Sequence, residues 1–101
     1  MNIEQMTEFL EIAWDDGGIL AQIRTGRFDE NEAEKFLHAL KNMRVDDNAL
    51  LPKRLVSLIW YLPGFLEWQR KRVEEVTGNL ATYERFIVET HTTLEDVFGI
   101  P

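Results

Sequence analysis

Cysteine is missing from the chain, which excludes disulfides, a thiolate nucleophile and cysteine-ligated zinc, and which suits a reducing cytoplasm. Histidine is scarce. His38 and His91 are the only two, leaving little for acid–base chemistry or an imidazole-rich metal centre. Proline is confined to Pro52, Pro63 and Pro101, so helices meet few obligatory breaks. Long apolar runs are absent as well: Leu55 to Leu66 covers twelve positions, interrupted by Ser57, Pro63 and Gly64. A bilayer-spanning helix needs roughly 20 such residues. The opening "MNIEQMTEFLEI" places no basic residue ahead of its apolar positions and does not read as a secretory signal.

Cations are also in short supply, and unevenly so. Residues 1–50 carry 5 basic and 11 acidic side chains, residues 51–101 carry 6 and 7, and the net charge of -7 therefore belongs mostly to the first half. Glu4, Glu8, Glu11, Asp15 and Asp16 are the only charged side chains among the first sixteen residues. Their field repels nucleic acid and anionic lipid and attracts basic proteins over about a Debye length, roughly 8 to 10 Å. The expected partner is a basic protein, with neither nucleic acid nor membrane in view. At 101 residues the chain is long enough for one continuous core and too short for two, so residues 1–101 read as a single domain.

Helical spacing dominates what is present. In "NIEQMTEFLEIAW", Ile3, Met6, Phe9, Leu10, Ala13 and Trp14 share a face opposite the acids. "DDGG" stops that helix, and "ILAQIRTG" follows as a short second helix or a strand. "FDENEAEKFLHALKNMR" opens with Asp29 and Glu32 at capping-box spacing, has Phe28 placed to staple onto Ala33, and buries Ala33, Phe36, Leu37, Leu40 and Met43. After "VDDNALLP" a helix over about 50–62 points Leu51, Leu55, Leu58, Ile59 and Leu62 inward. Pro63 and Gly64 are expected to kink or end it before another helix over about 64–77 closes at Gly78. Residues 83–90, "YERFIVET", fit a helix or a strand, with helix favoured. Thr92 and Glu95 carry a further capping signature. The expected architecture is an all-α compact bundle of five to seven short helices.

Chemical constellations are thin. Glu30, Glu34 and His38 lie four apart on one helical face, and Glu34 with His38 is the least implausible metal or acid–base pair. A metal site needs three or four converging ligands, however, and a solvated face is the plainer reading. His91 is expected near a helix end with no Ser or Cys in a nucleophile setting beside it. The adjacent carboxylates sit at polar or loop positions, unlike a buried pair with separated pKa values. No cofactor, metal or catalytic residue is expected. The aromatic segment "LIWYLPGFLEW" is expected to be mostly core, with Trp60 buried and Trp68 exposed. Tyr61, Phe65 and Trp68 form a possible contact surface, because Trp, Tyr and Arg dominate interface hot spots. An interfacial membrane helix, for which the rings and flanking cations would be the anchors, is opposed by the net acidity.

On the acidic run "EQMTEFLEIAWDD" and the aromatic segment "LIWYLPGFLEW", the chain resembles the small, acidic, cysteine-free immunity proteins with which bacteria neutralise their own toxins, of the colicin or contact-dependent growth inhibition kind. That resemblance implies a non-enzymatic inhibitor that covers the cationic active site of a toxin such as a nuclease. Acidic side chains would steer the encounter and aromatic anchors would hold the complex. The alternative is a helical adaptor or regulatory domain within a cytoplasmic complex. The residues expected at the contact are Glu4, Glu8, Glu11, Asp15, Asp16, Tyr61, Phe65 and Trp68.

Overall fold

Asn2 starts the first helix. Its side chain accepts the Gln5 backbone N–H at 2.8 Å while the Gln5 side chain accepts the Asn2 N–H at 3.0 Å, so two otherwise unpaired donors are satisfied at once. The computed structural model describes all 101 residues. They form six helices: α1 Ile3–Trp14, α2 Ile19–Arg24, α3 Glu30–Lys41, α4 Lys53–Trp68, α5 Arg70–Thr77 and α6 Leu80–Phe98. The fold is all-α, and none of its helices is long and apolar enough to cross a membrane.

Each helix buries the stripe that its spacing announces. Met6, Leu10 and Ala13 of α1, and Ala33, Phe36, Leu37 and Leu40 of α3, face one continuous core with Leu20 and Ile23 of α2. Asp29 caps α3 by accepting from the Asn31 and Glu32 N–H groups, while Glu32 turns outward to Lys35. Phe28 turns to α6, meeting Tyr83 and Phe86 with ring centres 5.2 and 5.3 Å apart. Phe36 joins Phe86 to Phe9, so an aromatic chain ties α1, α3 and α6 together.

Three expectations are corrected. The helix expected to stop near residue 62 continues through Pro63 to Trp68. Proline withholds an N–H from the Ile59 carbonyl and costs about 3 kcal/mol inside a helix. Leu55, Leu58, Leu62, Phe65 and Leu66 nevertheless remain buried at spacings of three and four. Burying Phe65 and Leu66 beyond the proline returns about 1.5 to 3 kcal/mol each, which offsets the break. The real corner is Gln69, where the Leu66 carbonyl accepts the Gln69 N–H at 3.3 Å and the Tyr83 hydroxyl at 2.6 Å. Secondly, Thr92 caps nothing: it lies exposed within α6, which Asn79 caps by accepting the Thr82 N–H. Thirdly, His91 is well inside α6 and not near a helix end. The threonines fit because Thr90 and Thr93 donate their hydroxyls to the carbonyls of Phe86 and Glu89, four residues back. The "YERFIVET" segment is helix.

Tyr83 is fully buried, and burial pushes its hydroxyl pKa well above the usual phenol value. Because the folded-state pKa is raised, the folded chain holds this proton where the unfolded chain releases it. The contribution is complete below the unfolded pKa of about 10 and is lost as pH rises above it. Tyr83→Phe should cost about 1 kcal/mol at pH 8 through the lost hydrogen bond to Leu66. In urea titrations the wild-type advantage over this variant should shrink and reverse by pH 11. A constant gap would show that the phenol does not drive the alkaline loss.

Candidate surface for partner binding

A second aromatic chain leads from the interior to solvent along α4. Trp14 donates its indole N–H to the Leu58 carbonyl at 3.0 Å and meets Phe65 edge-on at 4.7 Å. Tyr61 lies 6.0 Å from Trp14, 5.7 Å from Trp60 and 5.4 Å from Trp68, the last two in edge-to-face contact. Trp60 is 68% exposed, Tyr61 40% and Trp68 64%. These three rings form one contiguous apolar surface on the outer face of α4. Gly64 shapes it: a Cβ there would sit 3.2 Å from Cζ2 and 3.3 Å from Cη2 of Trp68, so its absence lets the indole lie against the helix.

Trp68 and Tyr61 are therefore at the surface as expected, and two assignments change. Trp60, expected to be buried, is the most exposed of the three. Phe65, expected at the contact, is 2% exposed and belongs to the core. One register explains both. Phe65 follows Leu58 and Leu62 by seven and three residues and continues their buried stripe, while Trp60 lies between them on the opposite side.

The acidic side chains of α1 and its C-terminal turn, Glu4, Glu8, Glu11, Asp15 and Asp16, are all exposed. Packing of α1 on α4 sets Glu11 against Arg54, a cation that the local sequence of α1 does not supply. Arg54 reaches Glu11 Oε2 through both Nε and Nη2 at 3.3 Å. At the far end of α4, Arg70 bridges Glu67 at 2.6 Å and Glu84 at 3.2 Å, and its hydrogen bond holds the Glu67 carboxyl below its usual pKa. All three ion pairs are solvent-accessible, so screening by water and salt keeps them weak.

Other concavities are shallow. A groove of about 320 Å³ beyond Trp60 is floored by Ile59, Pro63, Leu94 and Phe98 and reaches His91, whose Nε2 is buried without a protein hydrogen-bond partner. A cleft of about 390 Å³ between α3 and α6 sets Glu30, Glu34, Glu89 and Arg85 around Phe28 and Phe86. Glu34 and His38 are both exposed, and no three His, Asp or Glu side chains converge as metal ligands. Comparisons with protein-family models, curated proteins and solved structures return no match, so the functional reading rests on this surface chemistry.

Proposed function

We propose that the chain is a protein-binding inhibitor of the immunity type, which neutralises a basic, toxin-like partner by covering its active site. The docking surface in this reading is the exposed face of α4 together with the acidic strip of α1. The observation that carries it is the contiguous set of Trp60, Tyr61 and Trp68 at 68%, 40% and 64% exposure. Large rings held edge-to-face in water are costly to leave uncovered and are the residue types that anchor interfaces. The exposed carboxylates of α1 supply attraction toward a cationic partner without taking part in chemistry.

Affinity capture from the source cell with the tagged chain, read by mass spectrometry, should recover a basic toxin domain, and co-expression with that toxin should restore growth. Recovery instead of a stable complex containing no toxin would make the chain a helical adaptor. Recovery of no protein partner counts against both.

Steering has its own signature. Association with the captured partner should be fast at low salt and slow markedly as ions screen the field, while dissociation changes less. Replacing Glu8 and Glu11 with Gln and Asp15 with Asn should reproduce the slow rate in low salt, since all three side chains are exposed and none supports the core. An association rate indifferent to salt would remove the acidic strip from the mechanism.

A further inference from the structure

Where α1, α2 and α4 meet there is a small cleft of about 200 Å³, lined by Trp14, Arg24, Arg54, Ser57, Leu58 and Tyr61. Its charge is opposite to that of the molecule. Arg24 is the last residue of α2, and its guanidinium carbon lies 5.9 Å from the Trp14 ring centre and 5.5 Å from that of Phe65. Stacking over two rings restrains a cation that would otherwise sample many rotamers. No carboxylate pairs with Arg24 among the ion pairs of the chain. Arg54 is only loosely engaged: both of its contacts go to one Glu11 oxygen at 3.3 Å, longer than the 2.7 to 2.9 Å usual for such bonds.

Two guanidinium groups, one unpaired and one weakly paired, thus line a cleft with aromatic walls that opens onto the exposed ring of Tyr61. A planar carboxylate matches the guanidinium fork, and the walls of Trp14 and Tyr61 suit an apolar neighbour. Net acidity of the whole chain disfavours capture of a free anion from solution, whereas a carboxylate carried on a basic docking partner arrives with its approach already favoured. We infer that this cleft receives an acidic side chain of the docking partner, next to an apolar one, and so fixes the register of the complex. The source of the carboxylate rests on the proposed function; the anion preference of the cleft does not.

The test therefore uses small probes. Acetyl-Phe-Glu-amide, its neutral counterpart acetyl-Phe-Gln-amide and benzoate are titrated against the ¹⁵N-labelled chain, following the Trp14 indole N–H signal. The Glu peptide should shift that signal and bind at least fivefold more tightly than the Gln peptide. Arg24→Gln should abolish the preference, and Glu11→Gln, which frees Arg54, should strengthen Glu-peptide binding severalfold. Arg24 is exposed, so an unchanged spectrum elsewhere verifies the fold of that variant. Equal binding of the two peptides, or a Glu preference that survives Arg24→Gln, would overturn the inference. Benzoate binding more tightly than the Glu peptide would overturn the protein partner as its source.

Discussion

Gly26→Ala should lower folding stability by about 2 to 5 kcal/mol, the sum of two separate penalties. Gly26 is buried at φ +89°, in the left-handed region, where a side chain costs about 1 to 2 kcal/mol. A Cβ would also sit 2.6 Å from Val76 Cγ2, 2.8 Å from Arg72 Cγ and 2.9 Å from the Arg72 carbonyl oxygen. Overpacking of that kind adds about 1 to 3 kcal/mol, and one of the three atoms is backbone that cannot step aside alone. Gly78 provides the control. Its φ of +68° carries the conformational penalty, but nothing lies within 4 Å of a Cβ there, so Gly78→Ala should cost only about 1 to 2 kcal/mol. Chemical denaturation of both variants isolates the packing term as their difference. Equal losses would mean that α5 moves away from the α2–α3 turn without resistance. The corner matters beyond stability, because Arg72 Nη1 donates to the Arg24 carbonyl at 3.0 Å and so holds the end of α2 from which Arg24 reaches its cleft.

The parts of this fold that were legible in the sequence are those with a single apolar stripe on a polar helix. In α3 the remaining face is polar, and in α1 Ile12 is the one large apolar side chain left outside, so the spacing of Met6, Leu10 and Ala13, or of Ala33, Phe36, Leu37 and Leu40, selects one orientation. In α4 apolar side chains occur on both sides, Val56, Trp60 and Tyr61 outward as well as Leu55, Leu58 and Leu62 inward, so hydrophobicity alone does not choose between them. The spacing does choose, provided it is carried through Pro63. Trp60, two residues from both Leu58 and Leu62, falls opposite their stripe before the proline is reached, whereas Phe65 falls inside only when the register runs on through Pro63. The Asn2 cap was legible in principle, since Asn followed at three residues by Gln is a recognisable start signal. The approach of Arg54 to Glu11, 43 residues away, and of Arg24 to Trp14 were not, because they depend on how α2 and α4 dock on α1.

The other large effect concerns binding. Trp60→Ala and Trp68→Ala should each weaken the complex with the captured partner by about 2 kcal/mol or more, close to 30-fold in Kd, the usual scale for a central aromatic anchor. Neither should change stability by more than about 1 kcal/mol, because both rings are mostly in water in the free chain. Phe65→Ala should behave oppositely, losing about 3 to 5 kcal/mol of stability as a large volume leaves the core. Tyr61 touches both indoles, so the two tryptophan effects should not add. The double variant should differ from the sum of the single losses by about 0.5 kcal/mol or more, as expected for side chains coupled through a shared neighbour. Titration calorimetry beside urea unfolding for the four variants separates anchor from core. Unchanged affinity in both single tryptophan variants would eliminate the α4 face as the docking surface. The carboxylates of α1 would remain, and they are suited to steering a partner without holding it, because exposed charges alter association far more than dissociation.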